Sequence, residues 1–599
     1  MSEQLDQQDG AAAPPPYTVA VVGLGGTGLA LARRLAGAGL TVVGMDDDPA
    51  ALTRAGQLPP PERPRTLTRF PAGVAGADLV IEAVPEPASL KRQVLAEVRR
   101  HRRPGTPVLT TALTTPLAAL EDAAGPGLLA LRFLRADALD AVEVARAPGA
   151  GDAAAERVER VLAAAGITAH HVVDRPGSLA PGLLFGLLNR AAWMVHDGYA
   201  TAEAVDTAVR LGCGWSQGPL AVLDAIGLDT ARDVLTGLTG LTGPGGLTGP
   251  GGPGAGHAAP APVLDELIAR GSLGRKTGRG FHRYDAGDEP RRPALPTAAP
   301  GRRVAVVGSG TMATGIAEAF VHGGFETVLL ARTEDKARAA AERVEFALQR
   351  KGAHDEPRRT RFTATADRSV LGAVDIVVEA VVEDLEVKRR LFAELGEVCA
   401  PRTLLATSTS SLPVAACTEP AGRPGDVLGL HFFNPAPVMR LVELVPAHGT
   451  SEHTLARARA VAEQLGKQTV QCGDRAGFIV NALLFPYLNQ ALELLDADGT
   501  TTVALDASAR AVGGQPLGPV RLLETVGTDV ALEVQRRLCA APGGRAPEPA
   551  ALLEQLVAAG HLGRKTPGRN TRTYLTARTA VPARTAVPVR AAAPVPAVA

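Results

Sequence analysis

The chain predicts an α/β Rossmann-type domain followed by an all-α domain, with the pair written twice. Three observations predict it. The run from Val19 to Gly28 (VAVVGLGGTG) returns at Val304 to Ala313 (VAVVGSGTMA), an offset of 308 − 23 = 285 between first glycines. The run LGRKT at Leu273 returns at Leu562, an offset of 562 − 273 = 289. Two distant landmarks keep nearly the same shift, so the repeat is subunit-sized, which excludes solenoids and propellers with periods of roughly 20–50 residues. Third, apolar β-branched runs alternate with helical stretches in the first part of each copy and give way to helices alone in the second.

Each element has a local reason. Residues 19–22 form a short buried apolar run, 29–38 have helical composition, and 41–45 are again β-branched and apolar. Residues 77–81 predict a further strand and 90–100 a helix, so a parallel sheet covered on both faces is expected. Residues 183–196 and 202–210 are helical with no strand-like run between them. The boundaries read as a tail (1–16), a Rossmann-like domain (17–173), a helical domain (174–285), a linker (286–301), a second Rossmann domain (302–472), a second helical domain (473–575) and a tail (576–599). Residues 237–262, rich in Gly, Pro and Thr, read as an insertion in the first helical domain, and composition argues that the tail from 576 cannot order itself.

Composition excludes several functions. With 62 Lys+Arg against 62 Asp+Glu there is no net charge to recommend nucleic acid or an anionic membrane. No apolar stretch reaches the ~18–20 residues of a membrane span. The first sixteen residues lack the basic and apolar regions of a signal peptide, and five scattered cysteines show no metal spacing. A cytoplasmic protein is expected.

Both glycine turns follow a predicted strand and open a predicted helix, the context that gives such a turn meaning. Gly23, Gly25 and Gly28, and in the second copy Gly308, Gly310, Thr311, Met312 and Ala313, would set a pyrophosphate on a helix N-terminus. Asp46 ends the second strand of the first copy, where a carboxylate bonds the ribose 2′-hydroxyl of NAD. The second copy has Ala331 and Arg332 there, which favours the 2′-phosphate of NADP, while the nearby Glu334 and Asp335 weigh the other way.

The second copy also carries TSTSSL at 407–412, LHFFNPAPVMRLVE at 430–443 and DRAGFIVN at 474–481. With these strings the chain resembles the 3-hydroxyacyl-CoA dehydrogenase family, its short-chain 3-hydroxybutyryl-CoA members included, over nearly all of 302–575 and more loosely over 17–285. The resemblance implies that His431 is the base for the hydroxyl proton, that Glu443 fixes its tautomer, and that Ser410 and Asn481 bond the substrate oxygen. It implies further that Asn434, Glu383 and Lys388 contact the dinucleotide. Arg350 and Lys351 are candidates for the CoA phosphates. Histidine titrates near neutrality and suits reversible proton transfer.

The first copy departs from this pattern. Thr114 is matched with Ser410, Arg132 with His431, Arg135 with Asn434 and Pro181 with Asn481; Glu143 alone keeps its counterpart. Arginine does not deprotonate, so Arg132 cannot be a base. The first copy therefore reads as a pseudoenzyme retaining a dinucleotide face (Gly23, Gly25, Gly28, Asp46, Glu86, Lys91). The family forms dimers through its helical domains, so the resemblance suggests an internal pseudo-dimer. The expected activity is interconversion of (S)-3-hydroxyacyl-CoA and 3-oxoacyl-CoA with NAD or NADP. The alternatives are a silent dinucleotide-binding scaffold or sensor and a dehydrogenase of short β-hydroxy acids, which lacks the His431 string.

Overall fold

Val19, Ala20, Val21 and Val22 are buried on both faces of their strand, the continuous apolar pattern of a central parallel strand. This is β1 (Thr18–Val22), seen in a computed structural model that describes residues 17–136, 138–239, 259–284, 299–350, 361–497, 500–541 and 546–580. Around it lie β2 (Thr41–Met45), β3 (Thr66–Thr68), β4 (Leu79–Glu82), β5 (Val108–Thr110), β6 (Leu128–Arg132), β7 (Ala141–Arg146) and β8 (Thr168–His171). Their order in the sheet is β3-β2-β1-β4-β5-β6-β7-β8. The second copy repeats it with β9 (Arg303–Val307), β10 (Glu326–Leu330), β11 (Phe362–Thr365), β12 (Ile376–Glu379), β13 (Leu404–Thr407), β14 (Val427–Phe432), β15 (Leu441–Pro446) and β16 (Gln468–Gln471), in the order β11-β10-β9-β12-β13-β14-β15-β16. Six strands of each sheet carry the doubly wound Rossmann order.

The sheet is not wholly parallel, which corrects the expectation from strand–helix alternation. β7 runs antiparallel to β6, and β15 to β14. The physical reason is the connection: residues 133–140 and 433–440 are too short for the crossover of a dozen or more residues that parallel neighbours need. The reversal sets the register of everything functional, because it places His431 directly opposite Glu443 and Arg132 opposite Glu143.

Beyond its sheet unit the described part of each copy continues as helices and loops. The first copy has helices Ala180–His196, Ala202–Cys213, Pro219–Ile226, Leu228–Thr239 and Pro262–Ala269. The second has Val480–Ala497, Thr502–Ala511, Pro519–Val526, Thr528–Ala540, Ala551–Ala558 and Thr571–Ala580. Of the expected insertion 237–262, residues 237–239 belong to helix Leu228–Thr239, and residues 240–258 lie outside the described residues. At the C-terminus, helix Thr571–Ala580 runs past residue 575. The expected tail 1–16, most of the linker and residues 581–599 lie outside the described residues. Among the described residues, no helix is long and apolar enough to cross a membrane.

Asp206 and Asp506 explain one recurrent pattern of the helical units. Each carboxylate accepts two amides at the start of the next helix, Leu220 and Ala221 in one copy and Val520 and Arg521 in the other. The LGRKT runs close a second joint, with Lys276 on Asp229 and Lys565 on Asp529.

The two helical units share one core. Helices Ala180–His196 and Val480–Ala497 pack against each other, and Leu183, Leu184, Leu187 and Leu188 join Leu483, Leu484, Tyr487 and Leu488 in a single buried cluster. Polar contacts repeat with approximate two-fold logic: Arg175 donates to Thr500 Oγ1 at 2.8 Å, and Arg475 to Asp197 Oδ2 at 3.1 Å. Arg190 and Glu493 face each other electrically across this interface. Burial pushes the Glu493 carboxyl up to about 7, with Arg190 opposing the shift. An unfolded glutamate titrates lower, near 4.5, so the folded state binds the extra proton between these values. The resulting stabilisation is full below pH 4.5 and lost as pH rises through 7. Comparing urea unfolding of wild type and Glu493→Gln at pH 4.5 and 7.5 should show the wild type losing about 3 kcal/mol relative to the variant. A constant difference would contradict the assignment.

Candidate active site

The reversal between β14 and β15 fixes a buried dyad. His431 Nδ1 lies 2.7 Å from Glu443 Oε2, and the two side chains are 3% and 0% exposed. A carboxylate only accepts, so Nδ1 carries the proton and Nε2 is left as acceptor. Ser410 Oγ stands 3.1 Å from Nε2 in position to donate to it. The other oxygen of Glu443 accepts the amides of Ile479 and Val480, each at 3.0 Å. Those amides open helix Val480–Ala497 after a turn in which Gly477 (φ +76°) and Phe478 (φ +49°) are left-handed. A non-glycine residue in that region is strained by order ~1 kcal/mol, which the buried amide–carboxylate bonds offset. Asn481 follows on the same helix and its Nδ2 reaches Ser410 O at 3.3 Å. His431, Glu443, Ser410 and Asn481 therefore converge from a strand pair, a loop and the helical unit.

Ser410 is held by a carboxylate that caps its loop. Glu383 Oε1 accepts from Thr409 Oγ1 (2.8 Å), Ser410 N (2.8 Å), Ser411 N (2.9 Å) and Ser411 Oγ (3.1 Å). Burial works against its charge, yet Lys388 and these donors outweigh it and hold the carboxyl below its ordinary range. Lys388 is itself 1% exposed, bonded to Glu379 Oε1 at 2.6 Å and 3.4 Å from Glu383 Oε2. Its ammonium faces inward, so it supports the loop rather than the open cleft. Asp474 accepts Val414 N and Ala415 N at 2.7 Å and pins the end of the same loop. Asn434 is exposed beyond β14.

The glycine turn of the second copy has the shape of a phosphate cradle. Gly308 N donates to Leu330 O at 2.9 Å, and a Cβ there would collide with the Ala380 carbonyl. Gly310 faces open space and precedes helix Thr311–His322; Ala313 is fully buried, and Thr311 and Met312 flank the turn. Arg332 is exposed and makes no ion pair among the described residues. The neighbouring acids are engaged elsewhere: Glu334 accepts Ala366 N at 2.7 Å and Asp335 pairs with Arg338 at 3.4 Å. Arg350 ends helix Glu334–Arg350 with its guanidinium 5.9 Å from the exposed Phe346 ring. Lys351 lies outside the described residues.

In the first copy the cleft persists and the dyad does not. A cavity of about 680 Å³ is lined by Gly23, Gly25, Asp46, Glu86, Arg132 and Lys276 among others. A Cβ on Gly28 would overlap the Gly23 carbonyl, so that helix must approach closely. Asp46 accepts Leu24 N at 2.6 Å and Asp48 N at 2.9 Å, holding the carboxylate at the turn. Arg132, 1% exposed, spends its donors on Ala112 O, Arg175 O and Asp174 Oδ1 at 2.7–2.9 Å. Glu143 accepts the amides of Leu179 and Ala180 and, from the other copy, the hydroxyl of Ser508. Arg135 donates to Gln217 Oε1 at 2.7 Å. Pro181 stands where Asn481 does, since both follow the two amides bound by the strand glutamate.

One correspondence needs correction. Leu113 N and Thr114 N both bind Glu86 Oε1, as Ser410 N and Ser411 N bind Glu383 Oε1. Thr114 thus matches Ser411, and Leu113 takes the place of Ser410, so the first copy lacks the hydroxyl entirely. Sequence reading also missed the buried pairs Glu379–Lys388 and Glu82–Lys91. Their signal was present: a strand-ending Glu followed nine residues later by Lys in both copies.

Comparison with known proteins agrees with this architecture. The model of the 3-hydroxyacyl-CoA dehydrogenase NAD-binding domain matches residues 62–174 and 303–475. That of the C-terminal domain matches 179–284 and 477–572. A 3-hydroxybutyryl-CoA dehydrogenase of Mycobacterium tuberculosis is 40% identical over 282 residues, which cover 46% of this chain and 98% of that protein. A 3-hydroxyadipyl-CoA dehydrogenase of Escherichia coli is 36% identical over 280 residues, 44% of this chain and 57% of that one. The crystal structure of a 3-hydroxybutyryl-CoA dehydrogenase from Escherichia coli covers 91% of this chain and 100% of its own, with a TM-score of 0.58 at 19% identity, and so shares the fold across both copies. With both family domains occurring twice, the chain belongs to the 3-hydroxyacyl-CoA dehydrogenase family as a tandem duplication.

Proposed function

We propose that the second copy interconverts (S)-3-hydroxyacyl-CoA and 3-oxoacyl-CoA, short acyl chains foremost, in the cytoplasm. The observation that carries this is the imidazole of His431 held between a buried carboxylate and Ser410. In the oxidative direction Nε2 takes the hydroxyl proton of the substrate, and Glu443 stabilises the imidazolium so formed. In reduction the same nitrogen returns the proton. Ser410 and Asn481 donate to the substrate oxygen and oppose the charge that develops there. A nicotinamide dinucleotide, when bound, supplies the hydride transfer. Gly308, Gly310, Thr311, Met312 and Ala313 would seat its phosphates, with Asn434 and the Glu383 loop beside it. The exposed Arg350, with Lys351, is assigned to the CoA phosphates.

Arg332 in place of an acid, with its acidic neighbours turned to other partners, supports NADP at this site. In the first copy the intact turn and Asp46 support NAD, held without turnover because Arg132 and Leu113 leave no base and no hydroxyl. The shared helical core supports a cis arrangement in which the degenerate copy fills the place of a dimer partner. Light scattering should then show no further association through the helical units.

Acetoacetyl-CoA reduction assayed with NADPH and NADH tests the reading. His431→Gln should lower kcat by about 10³-fold, and Glu443→Gln by about 10²-fold. No turnover in the wild type with any acyl chain would favour a silent scaffold, and full rate in His431→Gln would refute the assigned base. Arg332→Asp should move preference from NADPH to NADH by about 10–100-fold, the value of one charge-assisted phosphate contact. Calorimetric titration with NAD should show a first-copy site that Asp46→Ala weakens; equal binding by the variant would remove that assignment.

A further inference from the structure

Arg537 reaches across the cleft of the second copy from the last turn of helix Thr528–Ala540. Its Nη1 donates to Ser411 Oγ at 2.6 Å and its Nη2 to Glu383 O at 3.0 Å, with Glu533 at 2.7 Å steadying the guanidinium. Both cross-cleft acceptors belong to the loop system that holds Ser410. Ser411 Oγ in turn donates to Glu383 Oε1, the oxygen that binds Ser410 N. A continuous chain of hydrogen bonds thus runs from the helical unit, through Ser411 and Glu383, to the residue facing His431 Nε2.

The first copy supplies an internal control. Asp229 and Asp529 hold the same paired position on their helices, each bonded to the lysine of an LGRKT run. Counting eight residues on from each gives Gly237 and Arg537. A Cβ on Gly237 would lie 2.7 Å from Thr114 Cγ2, and Thr114 is the counterpart of Ser411. There the helix backbone rests directly on the loop, with no room for a side chain. In the second copy a guanidinium fills that place, tied by directional bonds and 26% exposed at its outer edge.

We propose that Arg537 is a positioning residue, a latch that ties the helical unit to the Ser410 loop at the mouth of the cleft. It holds Ser410 within reach of His431 without touching the reacting atoms. A planar guanidinium serves two acceptors at once, which an ammonium on a shorter fork does not reproduce. The inference rests on the roles proposed for Ser410 and His431, but its structural half is testable without turnover.

The full-length chain should be compared with Arg537→Ala, Arg537→Lys, Ser411→Ala and the Arg537→Ala/Ser411→Ala double variant. Arg537→Ala should lower kcat by about tenfold with KM moved less than about threefold, because misplacing a positioned group costs rate before affinity. Arg537→Lys should fall between it and the wild type. The double variant should be no slower than the slower single one, since both residues act in one chain of bonds. Amide hydrogen exchange over residues 409–412 should speed up in Arg537→Ala while the melting midpoint stays within about 2 °C. Unchanged kcat and exchange, multiplying losses in the double variant, or activity loss that tracks a lowered midpoint would each overturn the latch. If the wild type reduces no 3-oxoacyl-CoA, the proposed function fails, and the exchange measurement still decides the latch.

Discussion

The structure depends on a buried carboxylate placed where a sheet meets a helix. Glu443 and Glu143 are both fully buried, and each accepts the first two amides of the long helix that begins its helical unit. Burying an unpaired carboxylate is prohibitive, and the four orphan amides of a helix start need acceptors. Each requirement answers the other. The bond also fixes the helical unit against β15 to within a hydrogen bond's tolerance, so any residue one step along the helix is aimed at the sheet edge. Asn481 occupies that step. A packing necessity therefore doubles as the alignment of the site, and the same bond recurs in the first copy, where Arg132 stands in place of the histidine.

Much of this was legible in the residues. Strand positions such as 19–22 and 41–45 and the two glycine turns follow from local pattern, because β-branched runs and glycines report backbone geometry directly, whereas the pairing of His431 with Glu443 comes from the family resemblance. Other features needed the third dimension. Alternation of strand and helix cannot announce that β14 and β15 reverse, though the eight-residue connection implies it. The match of Thr114 to Ser410 failed because serine and threonine runs look alike in every register. Only the amides that Glu86 and Glu383 accept set the frame. Lys388 looks like a ligand contact in sequence, where burial is invisible; in the fold its ammonium is enclosed by Glu379 and Glu383. Arg537 is an ordinary helix-surface arginine until the loop it bonds is placed beside it.

The first copy is built differently at the position of the imidazole, around an arginine. Removing an imidazole from a buried slot would leave a void, while Glu143 keeps an amide on each oxygen, Leu179 N on Oε2 and Ala180 N on Oε1. Arg132 fills the volume and directs its donors to two carbonyls and Asp174, not to Glu143. Arg132→His would therefore remove the donor to Ala112 O and one donor each from Arg175 O and Asp174, which would be left with Ser178 N and Leu117 N.

Glu143 is completed instead from the other copy, by the Ser508 hydroxyl on helix Thr502–Ala511. The corresponding position on helix Ala202–Cys213 is Ala208, fully buried and without a polar atom to offer Glu443. Glu443 instead accepts Ile479 N and Val480 N on Oε1 and keeps Oε2 for His431 Nδ1–H. The second copy thus adds a hydroxyl to the first copy's buried carboxylate, and the first copy presents only the Ala208 methyl at the matching position. A contact that runs one way across the interface is one that two identical subunits related by symmetry could not arrange.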